Sequence, residues 1–211
     1  MSKEKIYIFD TTLRDGAQTQ GVDFSIDDKL KVAKALDDLG VDYIEGGWPG
    51  ANPTDTEFFQ KKIKLNNSVL TAFGMTKKSG RSADNDPGLS SVLNSNTSAV
   101  CLVGKSWDFH VDVALGISNE ENLENISESA KLFVKEKKEF MFDAEHFFDG
   151  FKNNKEYALS CIKSAYDNGA RWIVLCDTNG GTLPNEISEI VSEVTKTVPG
   201  KNLGIHAHND T

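Results

Sequence analysis

The stretch RWIVLCDTNGGTLP (residues 171–184) carries the local pattern on which the fold prediction rests. Its first half is apolar at successive positions, which is typical of a parallel β-strand covered by helices on both faces. Asp177 and Thr178 end the apolar run, turn-forming residues follow, and Pro184 suits the first turn of a helix. The stretch therefore predicts a strand, a polar loop at its carboxyl end, and then a helix.

The same succession of a short apolar run and an amphipathic helical stretch recurs along the 211 residues. In DDKLKVAKALDDLG (27–40), for example, apolar residues recur at helical spacing, and Gly40 is the expected C-cap. The apolar residues of that stretch are Leu30, Ala33, Leu36 and Leu39. The predicted strands are IYIFD (6–10), YIEGG (43–47), SVLTAFG (68–74), SAVCLVG (98–104), EFMFDAE (139–145), RWIVLCDT (171–178) and LGIHAHN (203–209).

Two architectures fit strands and helices that alternate: an open doubly wound sheet and a TIM (β/α)8 barrel. The first strand is followed by GAQTQG (16–21), which does not match the GxGxxG pattern of dinucleotide-binding open sheets. Polar residues end most of the strands, and a barrel brings all strand ends to one mouth, whereas an open sheet brings only a few to its crevice. We therefore predict an α/β TIM barrel.

The expected barrel is shorter than usual, because a complete one commonly needs about 250 residues. Seven strands are recognisable in the sequence. No glycine- or serine-rich linker interrupts the pattern. We expect one catalytic barrel domain over residues 1–211, truncated after its seventh strand, without the C-terminal domains of a longer protein.

The composition excludes several classes of partner. The formal net charge is −9, which argues against binding to nucleic acid or to an anionic membrane surface. No apolar run has the length of a membrane span, and the N-terminus lacks a signal-peptide pattern. The three cysteines are far apart and odd in number, as expected for reduced thiols in a cytoplasmic protein.

Charged residues gather in FDTTLRDGAQ (9–18), directly after the first predicted strand. An isolated group of this kind is usually a solvated loop. Here the preceding strand is apolar, and Glu45 ends the next strand. We expect Asp10 and Glu45 to hold Arg14 between them, because an arginine positioned and desolvated in this way suits an oxyanion. Asp15 would then remain as a free carboxylate.

The stretch IHAHND (205–210) places two histidines at alternate positions of a strand, so both side chains point to the same face. A packed or hydrogen-bonded pair is the alternative interpretation. His206 and His208 together with Asp15 form a set of two imidazoles and one carboxylate, which suits a divalent ion and leaves positions open for a substrate. We predict a metal site formed by these three residues.

The motifs DTTLRDGAQ (10–18) and HAHND (206–210), with βα units between them, resemble those of the DRE-TIM metallolyases. That family includes isopropylmalate, homocitrate and citramalate synthases and HMG-CoA lyase. Further stretches look most like the citramalate synthase branch, with valine before the glycine of VGKSW, where a phenylalanine is expected, as one departure. These stretches are VDYIEGGWPGANPTD (41–55), VGKSWDFHV (103–111), DAEHFFDG (143–150) and LCDTNGGTLP (175–184).

The resemblance implies roles for individual side chains. Thr178 would bind the carboxylate of an α-keto acid, Glu145 would lie near the reacting groups, and Gln18 would line the same pocket. The catalytic arginine held by Asp10 and Glu45 would be Arg14, which also contacts substrate. The ligands of a divalent ion, with Zn, Mn and Mg all left open, would be Asp15, His206 and His208.

The implied activity is an acyl transfer in which acetyl-CoA condenses with an α-keto acid, most simply pyruvate, and CoA is released. A homodimer is expected for the longer protein. Three alternatives stay open: another synthase of the family, a C–C lyase like HMG-CoA lyase, and a non-catalytic metal-binding module. The acceptor keto acid rests on the resemblance alone.

Overall fold

The computed structural model describes residues 5–208, and this part of the chain alternates strands with helices as the sequence predicts. The strands are β1 (Phe9–Asp10), β2 (Tyr43–Glu45), β3 (Val69–Met75), β4 (Ala99–Lys105), β5 (Glu139–Glu145), β6 (Trp172–Asp177) and β7 (Leu203–Ala207). The helices are α1 (Ile26–Leu39), α2 (Pro53–Gln60), α3 (Pro87–Leu93), α4 (Asp108–His110), α5 (Asn119–Lys135), α6 (Phe147–Asn153), α7 (Lys155–Asp167) and α8 (Pro184–Val194). Short 3-10 helices cover Gly16–Gln18, Ala83–Asn85 and Gly200–Asn202, and a π-helical turn covers Val111–Leu115.

The strand order in the sheet follows the chain from β1 to β7, and the registered neighbours are parallel. A doubly wound sheet reverses its order at a switch point, whereas a barrel adds each strand beside the previous one. The sequential order confirms the prediction of a TIM-barrel fold over an open sheet. The described residues contain seven strands, the number recognised in the sequence.

The first strand is shorter than the sequence predicts. The apolar run began at Ile6, but only Phe9 and Asp10 have strand geometry, paired with Tyr43 and Ile44 of β2. The carbonyl of Ile8 accepts two N–H groups at 3.0 Å, those of Asp42 and Tyr43, which breaks the regular ladder. The side chain of Ile8 is 55% exposed, so apolar character at this end of the chain does not mark burial.

The chain divides into two compact units, which are described separately below. The first unit consists of Met1–Gly74 and Ser90–Val100. The second consists of Met75–Leu89 and Cys101–Thr211. The expectation of a single catalytic domain over residues 1–211 stays a prediction.

Helix α1 of the first unit begins at a capping box and has the C-terminal end that the sequence predicts. Ser25 accepts the N–H of Asp28 at 3.2 Å, and the Asp28 carboxylate accepts the N–H of Ser25 at 3.1 Å, which forms a capping box. Gly40 ends the helix in the left-handed conformation, with φ of 86°. Its buried face differs from the prediction, because Lys29 and Asp37 are buried with Ala33, whereas Leu39 is 77% exposed.

The second unit contains an aromatic core around β5. Phe133 of α5 stacks on Phe140 of β5 with ring centroids 6.1 Å apart, and both side chains are fully buried. All three cysteines of the chain are buried, and that they are reduced thiols stays a prediction. Burial raises the pKa of the Cys161 thiol to about 12, so this thiol is protonated at neutral pH. None of the helices within residues 5–208 is both long and apolar enough to cross a membrane.

Candidate functional site

The loop after β1 turns tightly around one backbone carbonyl. The oxygen of Thr11 accepts the N–H groups of Arg14, Asp15 and Gly16 at 3.1, 2.8 and 3.1 Å. The Asp10 carboxylate accepts the N–H and the hydroxyl of Thr12 at 3.0 and 3.2 Å. Asp10 therefore shapes the turn, and the prediction that it holds Arg14 is wrong. An aspartate side chain commonly accepts a hydrogen bond from the backbone two residues further along the chain, and Thr12 stands at that position relative to Asp10.

Arg14 is nonetheless held between two carboxylates. Its Nε donates to Oε2 of Glu45 at 2.6 Å, and its Nη1 donates to Oδ1 of Asp15 at 3.0 Å. The guanidinium carbon lies 4.0 Å from the ring centroid of Phe73, which adds a cation–π contact. Asp15 takes the place expected for Asp10, so the prediction of a free Asp15 carboxylate is also corrected.

The Arg14–Glu45 pair is shielded from solvent. The Glu45 side chain is fully buried, and that of Arg14 is 11% exposed. In such a place a guanidinium is desolvated and fixed, which strengthens its interaction with any negative charge that develops nearby. Gln18, by contrast, is exposed in its 3-10 turn, so its assignment to a pocket lining stays a prediction.

In the second unit, His206 of β7 and His208, which directly follows the strand, lie side by side, as expected. The imidazole rings of His206 and His208 lie nearly parallel, with an interplanar angle of 18° and centroids 5.1 Å apart. The N–H of His208 donates to the carbonyl of Asp177 at 3.2 Å, which extends the pairing of β6 with β7. Asn209 and Asp210 of the same motif lie outside the described residues.

Close to His206, the second unit has two further side chains of types that can bind a metal, and the sequence did not indicate them as a group. Asp143 and Cys176 are both buried, and Cys176 pairs in register with His206. Ligand atoms of these three residues lie within 4.8 Å of one another. A carboxylate near a ligating histidine is the usual means of fixing which ring nitrogen faces a metal. The alternation of side chains along β5 and β6 was the signal that could have placed Asp143 and Cys176 in one group.

The hydroxyl of Thr178 is oriented by the backbone of His146. The N–H of His146 donates to Oγ1 of Thr178 at 2.9 Å, at the carboxyl ends of β5 and β6. His146 has φ of 53°, in the left-handed region that few residues other than glycine and asparagine adopt. Its Nδ1 lies 3.2 Å from the Asp149 carboxylate, which also accepts the side-chain amide of Asn179 at 2.9 Å.

Glu145 forms an ion pair with Lys105, which ends the neighbouring strand β4. The Glu145 carbonyl accepts the hydroxyl and the N–H of Ser106 at 2.7 and 3.3 Å, so the ends of β4 and β5 are tied together. Lys105 belongs to the VGKSW stretch (103–107), and no role for it was predicted from the sequence. A lysine that ends one strand, beside an acidic residue that ends the next, was the signal that could have found it.

An aromatic and imidazole cluster lies next to this ion pair. The His110 ring meets the His146 ring edge-on at 4.5 Å between centroids, and Trp107 lies 4.7 Å from His110. Burial, together with repulsion from His146 and Lys105, lowers the pKa of His110. Among the described residues, neither Nδ1 of His110 nor Nε1 of Trp107 has a hydrogen-bond partner, although both atoms are buried.

The two units offer different functional groups. The first unit offers a desolvated guanidinium fixed by carboxylates. The second offers two imidazoles on one strand face, an oriented hydroxyl and a carboxylate paired with lysine. Nitrogen and carboxylate donors of these types suit Zn and Mn, and carboxylates suit Mg, so the residues present fit a divalent ion.

A family model and the curated relatives point to one family. A family model described as HMGL-like matches residues 5–211. The (R)-citramalate synthase of Aquifex aeolicus is 53% identical over 210 residues, and that of Sulfolobus acidocaldarius is 47% identical over 213 residues. These matches cover 99% and 100% of this chain but 40% of each relative. The chain therefore spans less than half the length of these curated relatives.

Solved structures share the fold at low identity. The hydroxymethylglutaryl-CoA lyase of Pseudomonas aeruginosa has a TM-score of 0.80 at 18% identity, over 97% of this chain and 68% of that one. The HMG-CoA lyase of Brucella melitensis has a TM-score of 0.80 at 15% identity, over 98% of this chain and 73% of that one. This likeness shows the fold alone, and it agrees with the TIM-barrel prediction.

The buried pair should contribute strongly to stability. Replacing Glu45 by alanine should lower the free energy of unfolding by about 3 kcal/mol, because the Arg14 guanidinium loses its buried counter-charge while Asp15 still pairs with it. Urea unfolding followed by circular dichroism measures this loss. Glu57→Ala removes the acid of an exposed i,i+4 pair with Lys61 and is the control, with an expected loss below about 1 kcal/mol. Equal losses in both variants would contradict the assignment.

Proposed function

The chain belongs to the HMGL-like family, and we propose that this protein is a synthase that condenses acetyl-CoA with pyruvate to give (R)-citramalate and CoA. The observation that carries the proposal is Arg14, desolvated and fixed between Glu45 and Asp15. The choice of pyruvate is supported by identities of 44–53% to (R)-citramalate synthases, against 32–34% to 2-isopropylmalate and homocitrate synthases. A homodimer in the cytoplasm remains part of this proposal.

In this reaction the methyl group of acetyl-CoA loses a proton to a base, and the resulting enolate carbon bonds to the keto carbon of pyruvate. The electron pair of the keto group moves to its oxygen, which becomes negative and then takes up a proton. Water cleaves the thioester of the product and releases CoA. We assign to Arg14 the stabilisation of the charge on the keto oxygen, because its planar guanidinium is held in place before charge develops.

We assign to Asp15, His206 and His208 the binding of a divalent ion. When bound, such an ion supplies Lewis-acid polarisation of the keto group. The parallel imidazoles of β7 support the assignment, since both rings already share one strand face. The Asp15 carboxylate accepts a hydrogen bond from Arg14 through Oδ1. Asp15, the assigned metal ligand, is therefore in contact with Arg14, the assigned donor to the oxyanion.

We assign to Thr178 the binding of the pyruvate carboxylate. A hydroxyl that accepts one hydrogen bond still has its own proton to donate. Because Oγ1 of Thr178 accepts the N–H of His146, its O–H proton is available for donation to an anion. Glu145 lies near the reacting groups in this proposal, and Lys105 fixes the position of its carboxylate.

The keto acid is tested by the release of free thiol. The whole gene product, supplied with acetyl-CoA and Mg, Mn or Zn, should release CoA faster with pyruvate than with 2-oxoisovalerate or 2-oxoglutarate. A preference for either longer acid would transfer the proposal to another synthase of the family. Cleavage of HMG-CoA with no condensation would replace it with a lyase, the activity in the names of the structural neighbours.

Arg14→Lys should retain the fold and lose most of the turnover. Lysine keeps the charge but lacks the planar fork that engages Glu45 and Asp15 together, so transition-state stabilisation should fall by about 2.7–4 kcal/mol, or roughly 10²–10³ in kcat. Arg171→Lys is the matched control, because that guanidinium stacks on Trp172 away from the assigned residues, 3.8 Å from the ring centroid. Near-normal turnover of Arg14→Lys would refute the role of Arg14.

His208→Ala should reduce the metal retained after dialysis, measured by inductively coupled plasma mass spectrometry. The affinity of the wild type should also fall as the pH is lowered, because a ligating histidine must be neutral. His110→Ala is the control, since it removes an imidazole of the second unit that is not assigned to the metal. Equal metal content in the two variants would contradict the assignment of His208 as a ligand.

A further inference from the structure

Helix α1 buries a lysine at the point where an apolar residue would be expected. The Lys29 side chain is 3% exposed. Its Nζ donates to the carbonyl of Leu13 at 2.9 Å, to the carbonyl of Gly46 at 3.0 Å, and to the carboxylate of Asp55. Three acceptors use all three N–H groups of an ammonium. Lys29 is therefore a saturated, buried cation and not a solvated helix residue.

Asp55, the counter-charge, is itself fixed by its surroundings. Its Oδ2 accepts the N–H of Trp48 at 2.8 Å and the side-chain amide of Asn52 at 3.0 Å. Gly47 passes so close that a Cβ there would lie 2.5 Å from Cγ of Asp55, and its φ of 141° is in the region that favours glycine. The backbone after β2 is thus built around the carboxylate that holds Lys29.

The two carbonyls bound by Lys29 belong to the immediate neighbours of the Arg14–Glu45 pair. Leu13 directly precedes Arg14, and Gly46 directly follows Glu45. One ammonium therefore joins the segment that carries the guanidinium to the segment that carries its buried counter-ion. A methionine or leucine at position 29 would fill the space without joining the two segments, and it would avoid the desolvation of a charge.

We propose that Lys29 is a positioning residue for the oxyanion donor: it sets the distance and angle between the segments of Arg14 and Glu45. The inference rests on the proposed function in its assignment of Arg14 to the developing oxyanion. Lys29 touches no substrate in this account and acts only through Arg14. The alternative is that Lys29 contributes to stability alone.

The principal variant is Lys29→Met combined with Asp55→Asn, which removes both charges and leaves no lone buried ion. If Lys29 sets the geometry of Arg14, kcat should fall by about 10²-fold, the scale for a catalytic group misplaced by about 1 Å. KM for acetyl-CoA should change little, because binding remote from Arg14 is unaffected. Asp55→Asn alone keeps the ammonium and its two carbonyl contacts but removes the counter-charge, so kcat per folded molecule should fall in the same direction and by less.

A double-mutant cycle with Arg14→Lys separates positioning from stability. If Lys29 acts through Arg14, adding Lys29→Met and Asp55→Asn to Arg14→Lys should lower kcat no further. If Lys29 only stabilises the fold, losses in kcat per folded molecule should be absent, or should multiply across the cycle. Either of these results would overturn the proposal.

Asp37→Asn is the matched control, because Asp37 is the other buried charge of α1. Its carboxylate accepts the N–H groups of Asn66, Asn67 and Ser68 at 2.8, 2.7 and 2.8 Å, and these hydrogen bonds lower its pKa. The control variant should lower the unfolding temperature and leave kcat per folded molecule unchanged. An equal loss of kcat in this variant would mean that any damage to α1 suffices, and the special role of Lys29 would be lost.

A readout without catalysis distinguishes this inference from the proposed function. The Nε–H of Arg14 donates to Glu45, and solvent exchange of its NMR signal, assigned by its loss in Arg14→Lys, reports the integrity of that bond. Exchange should accelerate in the Lys29 and Asp55 double variant and not in Asp37→Asn. Accelerated exchange in a protein without synthase activity would leave positioning intact and reject the proposed function. Unchanged exchange would reject the positioning role whatever the activity.

Discussion

The constraint on which the first unit depends is the burial of Glu45, a carboxylate with no exposure to solvent. A buried charge must be paired, and its pairing must be geometrically good to offset desolvation. Arg14 provides the counter-charge, with its Nε 2.6 Å from Oε2 of Glu45. The turn around the Thr11 carbonyl positions that guanidinium. The shape of the loop after β1 is consistent with this requirement, because the turn brings Arg14 to Glu45.

The sequence predicted the features that depend on periodicity. Alternation along β7 predicted a shared face for His206 and His208, and the rings lie side by side there. The glycine at position 40 predicted a helix end, and it adopts the left-handed conformation. The sequential order of strands was also predicted, because polar residues at most of the strand ends favour a common mouth.

Features that depend on competition among polar groups were not predictable in this way. Asp10 and Asp15 are equivalent as carboxylates, and only the turn geometry decides that Thr12 takes the first and Arg14 the second. Helical patterning treats every lysine as polar surface, so it gives no signal that Lys29 is buried. Its burial needs three acceptors from distant positions, 13, 46 and 55, and no local pattern reveals such a convergence.

Two residues to which the sequence assigned no role, His146 and Lys29, share a physical property, because each adopts a state that is unfavourable by itself. His146 holds a left-handed backbone that costs a residue with a Cβ about 1–2 kcal/mol, whereas glycine would adopt it freely. Its ring contacts with His110 and Asp149 offset that cost, and the result is an N–H aimed at Thr178. The Lys29 ammonium is likewise desolvated, which costs free energy, and it joins two carbonyls. In both cases an unfavourable local state is retained next to a side chain that we assign to the reaction, which is where such costs are expected to be tolerated.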